Sequence, residues 1–195
     1  MSKDIFEIII DRLKRKLPPE LQYHNAEHTQ MVIDQARFLA KKESVEGRDA
    51  HLIEIACLFH DIGFLDQIND HEKKGCQIAS RELTKYDYTK EEIEKVCGMI
   101  KATEVPQKPL NLNEMIVADA DLFYLGTSSY KTISERLYRE LQFLNPRLEN
   151  EQWFRIQINF LEAHQFHTSY ARKNLEPGKQ ENLRKLKSEY AEILG

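Results

Sequence analysis

Glycine and proline are few in this chain, 7 and 6 among 195 residues, and no segment alternates apolar with polar residues over the length of a strand. That excludes a turn-rich β architecture. Cysteine is scarce as well: Cys57, Cys76 and Cys97 are odd in number, widely spaced and without a CxxC pair, which fits a reducing, cytoplasmic setting. Cys57 lies in the run Ile55-Ala56-Cys57-Leu58-Phe59, where a buried thiol behaves as a small hydrophobe. There is no surplus of positive charge. Lys and Arg total 28 against 32 Asp and Glu, a formal net charge of −4, so no overall basic field attracts a nucleic-acid polymer or an anionic membrane. No apolar stretch approaches the ~18 residues that a membrane span needs. The N-terminal segment has one short apolar cluster broken by charges, unlike a signal peptide.

What is plentiful is Glu, Lys, Leu, Ile and Ala, a helix-forming mixture. Ile5, Ile8, Ile9 and Leu13 share one stripe and predict a helix over 3–16, stopped by Pro18-Pro19. Further helices are expected from just after Asn25 to about 44, over 50–62 with Gly63 as its stop, over 71–85, and from Thr89 as N-cap to 100. The spacing continues from about 113 to a break at Gly126, then over 129–143 and 149–167, and through the tail after the turn Glu176-Pro177-Gly178-Lys179. No repeat, low-complexity tract or linker divides the chain. The expectation is one all-α domain spanning residues 1–195.

Polar residues with metal and proton chemistry sit beside or inside these apolar runs. His24 and His28 are four apart and share a helix face. His60 and Asp61 close the most apolar helix, where an adjacent His and Asp are costly unless paired or metal-bound. Asp119 and Asp121 interrupt the run Ile116–Leu122 but lie about 200° apart on a helix, so either one can face the centre while the other caps, pairs or meets solvent. His71-Glu72 opens a helix, where the Glu complements the dipole. Gln157 and His164 share a face of the 149–167 helix, and the simplest account of that segment is a packed amphipathic helix with His164 and His167 at the surface.

Taken together, Tyr-His-Asn-x-x-His-Thr at 23–29, Phe-His-Asp-Ile-Gly-Phe at 59–64 and Ala-Asp-Leu at 120–122 resemble the HD superfamily of metal-dependent phosphohydrolases. The likeness is greatest to the small, stand-alone bacterial members, which share the HE pair, the stretch Asp119–Gly126 and the run Phe160-Leu161…His164…Phe166…Thr168. The resemblance implies an HD-domain helical bundle, with a metal-box core at about 23–125 and C-terminal helices over 129–195 packed on it. It implies a metal shell of His28, His60, Asp61 and Asp121, the last in preference to Asp119. His24 corresponds to a histidine that protonates the leaving oxygen, and His71 to a ligand of a second ion. No histidine stands between residues 72 and 163, so one ion is expected, with a second, weaker one left open.

A mixed N/O shell suits a divalent Mn, Fe, Co, Ni, Zn or Mg ion. Asp61 could then take the proton of the attacking water, and His24 or His71 could supply one to the leaving group. Lys73, Lys74 and Lys101 are candidates for neutralising phosphate charge. The function implied is hydrolysis of a phosphomonoester or phosphodiester, of a nucleotide or another small molecule. The alternative is a non-catalytic HD regulatory module that binds metal or nucleotide. The partner is a small phosphorylated substrate rather than a nucleic-acid polymer or a membrane, and self-association is left open.

Overall fold

Ten α-helices and two short 3-10 turns make up residues 4–194, which the computed structural model describes, with no strand among them. The predicted helix start at residue 3 lies outside the described residues. The all-α expectation is met.

Six helices surround the first core: α1 (Ile5–Lys16), α2 (Ala26–Lys42), α3 (Gly47–Phe59), α4 (His71–Leu83), α5 (Lys90–Lys101) and α6 (Leu112–Asp121). The centre is α3, whose residues Leu52, Ile53 and Ile55–Phe59 are all buried. A helix apolar on every side must be enclosed by others. Local signals set where the neighbours begin. The Asn25 side chain caps α2 by accepting from the backbone of Glu27 and His28, and Thr89 with Glu92 forms a capping box at α5.

A second core gathers Leu125, Phe154, Leu161, Phe166 and Leu183 among α7 (Tyr130–Leu144), α8 (Asn150–Ala163), α9 (Ser169–Asn174) and α10 (Glu176–Leu194). Phe123 packs against both cores.

Several predicted boundaries move, and each shift has a physical reason. The third helix ends at Phe59, so that His60 and Asp61 stand at the junction with a 3-10 turn, Ile62–Leu65. Gly63 lies within that turn. A Cβ there would come 2.0 Å from the backbone oxygen of His71, so the glycine permits the close approach of α4. The sixth helix ends at Asp121 and passes into a second 3-10 turn, Phe123–Gly126. The predicted 149–167 helix stops at Ala163, and His164 takes an extended backbone. Pro177 and Gly178 belong to α10 rather than to a turn. Proline is at home in a first helical turn, and at Gly178 a Cβ would meet the Gly126 oxygen at 2.1 Å.

Candidate metal centre

The fold brings the end of α3, the first turn of α2 and the end of α6 to one point. Because α3 ends at Phe59, the His60 ring can turn back and donate its Nδ1 hydrogen to the Cys57 carbonyl at 2.7 Å. That bond fixes the tautomer and leaves the Nε2 lone pair facing inward. It lies 3.3 Å from Nε2 of His28. Asp121 Oδ1 stands 3.1 Å from His28 Nε2 and 3.6 Å from His60 Nε2. One ligand-capable atom from each of His28, His60 and Asp121 lies within 4.8 Å of the others. Asp61 comes alongside, its Oδ2 at 3.5 Å from His28 Nε2 and 3.1 Å from His60 Nε2. That oxygen is buried and has no hydrogen-bond partner.

All four groups are almost wholly shielded, from His60 at 1% exposed to Asp121 with 14% of its side chain exposed. Two carboxylates gathered in a dry interior need positive charge among them. Burial opposes ionisation of Asp61 and Asp121, yet the neighbouring histidines outweigh it and hold both well below the usual carboxylate range. Burial likewise opposes a charged His60, and Asp61 with Asp121 outweighs it and raises its pKa. Two imidazole nitrogens converging with two carboxylates form a donor set that suits a divalent first-row cation, and the partnerless Asp61 oxygen has the acceptor capacity such an ion uses.

Asp119 is turned away from this point. Its carboxylate accepts the backbone hydrogens of His167 and Thr168 at 2.8 and 2.7 Å, and it is fully buried. Of the two aspartates, Asp121 is the one beside the histidines.

Asp61, Asp121, His24 and His71 line a cleft of about 460 Å³, behind which His28 and His60 sit. The Phe64 ring packs against both His24 and His71, its centroid 4.2 Å from one and 4.1 Å from the other. His71 donates through Nδ1 to the Ile68 carbonyl at 3.1 Å and directs Nε2 toward Glu72 at 3.2 Å and Asp61 at 3.6 Å.

His24 has a partner that the sequence does not mark. Glu140 on α7 is 1% exposed. It accepts from the backbone N–H of Tyr23 and His24 at 2.9 and 3.0 Å, and it pairs with Nδ1 of the His24 ring. Burial opposes a charged His24, but the Glu140 hydrogen bond together with the charges of Asp61, Glu140 and Asp121 raises its pKa.

Other expected residues fall elsewhere. Lys73, Lys74 and Lys101 do not line the cleft, and Lys74 pairs with Asp66 at 3.0 Å. His164 is buried rather than at the surface, and His167 is half-buried. Burial and the nearby Lys179 push the His164 pKa down to about 3, so its ring is neutral. Gln157 accepts the buried Tyr130 hydroxyl at 2.9 Å.

No helix among the described residues is long and apolar enough to cross a membrane. No curated protein and no solved structure matches the chain. The family profile of the HD domain matches residues 25–124, a span that carries His28, His60, Asp61 and Asp121 and omits α7–α10. The chain therefore belongs to the HD-domain family, which is typical of metal-dependent phosphohydrolases.

Proposed function

We propose that this protein hydrolyses a phosphoester of a small molecule, with one divalent ion held by His28, His60, Asp61 and Asp121. The observation that carries this reading is the convergence of His28 Nε2, His60 Nε2 and Asp121 Oδ1, with the His60 tautomer fixed by Cys57. When bound, a divalent ion supplies Lewis acidity, polarising a phosphoryl oxygen and lowering the pKa of water.

The chain's own residues do the rest. The Asp61 carboxylate is ionised and close to the centre, so it can accept a hydrogen bond from the attacking water and orient it. His24 is held by Glu140 through Nδ1, which leaves Nε2 to carry the proton for the leaving oxygen, and the Glu140 carboxylate favours the protonated ring. His71 directs Nε2 at Asp61 and Glu72, where it orients the Asp61 carboxylate and serves as a second proton carrier. The small substrate enters through the cleft that these residues line.

Single His60→Ala and Asp61→Ala variants test the reading. Each is expected to lose stoichiometric metal after purification without chelator and to lower kcat by about a thousandfold or more. Hydrolysis that survives in the double variant sinks the proposal. Saturable nucleotide binding with no turnover under any divalent ion would favour the regulatory module instead.

A further inference from the structure

Apart from the His24 ring, the charge lining the cleft is of one sign. Besides Asp61 and Asp121, the carboxylates of Asp70, Glu72 and Glu104 border it, and among the described residues no lysine or arginine does. A bound divalent ion is balanced by Asp61 and Asp121, so the other three carboxylates leave the cleft negative. The N-terminus of α4 opens on this wall at His71, but a helix dipole offers only about half a charge. Polyphosphates are ordinarily held by Arg forks, Lys ammonium groups or bound cations. Here each added phosphate meets further carboxylates instead, and like charges repel.

The facing wall is of a different kind. Leu137 and Leu141 come from α7, Trp153, Ile156 and Phe160 from α8, and Tyr124 stands where they meet the metal centre. Two hydroxyls in this half are engaged within the protein: Tyr130 donates to Gln157 Oε1 at 2.9 Å, and Ser134 to the Lys131 carbonyl at 3.0 Å. Such a wall rewards apolar surface and offers little to a polar sugar. Apart from Tyr124, it is built from residues beyond the span that matches the HD domain.

We infer that the cleft selects a monophosphate ester of an apolar or aromatic alcohol and rejects di- and triphosphates. The inference rests on the phosphohydrolase reading given above, whose substrate class it specifies. The sole tryptophan of the chain is Trp153 on the apolar wall, so its emission reports occupancy without turnover. Titration of the full chain, in excess magnesium, with benzyl phosphate is expected to change that emission saturably. Adenosine triphosphate is expected to bind at least about tenfold more weakly. Ile156 is 46% exposed, so Ile156→Lys is compatible with folding. It is expected to move the ratio by about tenfold or more toward the triphosphate. Wild-type protein that binds the triphosphate as tightly as benzyl phosphate, or gives no saturable signal with benzyl phosphate, overturns the inference. Preferential binding of benzyl phosphate without hydrolysis under any divalent ion upholds the cleft's preference and removes the hydrolase reading instead.

Discussion

A carboxylate as deeply buried as Glu140 costs several kcal/mol unless donors meet its oxygens, and here two backbone N–H groups and the His24 ring do so. The arrangement fixes the His24 ring and favours its charged form. A raised His24 pKa means that the acid persists to higher pH than in a free imidazole and is lost as pH rises through that raised value. Glu140→Gln keeps the shape but removes the charge, so the His24 pKa falls and the alkaline limb of the kcat profile moves to lower pH. Near neutral pH, kcat is expected to drop about tenfold to a hundredfold with little change in KM, because Glu140 does not line the cleft. A pH–rate series on wild type and variant checks this, and superimposable profiles would refute a positioning role. Glu140 was invisible in the sequence for a simple reason. On the amphipathic stretch YKTISERLYRELQFL it looks the same as Glu135, and only the docking of α7 against residues 23 and 24 separates the two. His24, His28, His60 and Asp61 were legible because each sits next to core-grade residues, where a polar group demands an explanation.

Between elements, backbone contact decides more than side-chain pattern. The turn Ile62–Leu65 brings α4 so close that Gly63 has no room for a methyl group against the His71 backbone. Gly63→Ala therefore pushes the start of α4 outward and carries His71 away from Asp61. A loss of about 1–3 kcal/mol in urea-melt stability is expected, the usual cost of overpacking, together with weaker substrate turnover while metal at His28 and His60 is retained. Stability equal to wild type would show that the turn can yield. The same physics accounts for the misread boundaries. Helix existence followed from apolar spacing, since α1 to α8 all appear near their predicted positions. Their ends did not, because tertiary partners set them: Cys57 accepts from His60 where α3 stops, and Asp119 holds residues 167 and 168 beyond the end of α8. Pro177-Gly178 suggested a turn by composition. The glycine is instead required by its crossing with Gly126, a contact that no local pattern announces.

Across the whole molecule, the catalytic proposal joins two cores. The first supplies the metal ligands, and the second supplies Glu140 and the apolar wall of the cleft. Two polar connections bind them: Glu140 to Tyr23 and His24, and Asp119 to His167 and Thr168. Both carboxylates are buried, so parting the cores strands them in a dry setting, at about 1–3 kcal/mol per unpaired group. That cost is expected to couple the two halves into one cooperative unit. Trp153 packs beside the second core's α7, stacked on Tyr138 with ring centroids 5.5 Å apart, so its emission follows that half, while far-ultraviolet circular dichroism follows every helix. In a denaturant titration of the wild-type protein the two signals are expected to superimpose. Asp119→Ala removes the acceptor for two backbone N–H groups at once, and the tryptophan transition is then expected to move to lower denaturant than the helical signal. Transitions already separate in the wild-type protein would mean that the cores are independent. The cleft wall would then lack the rigid seat that selection among phosphate esters requires.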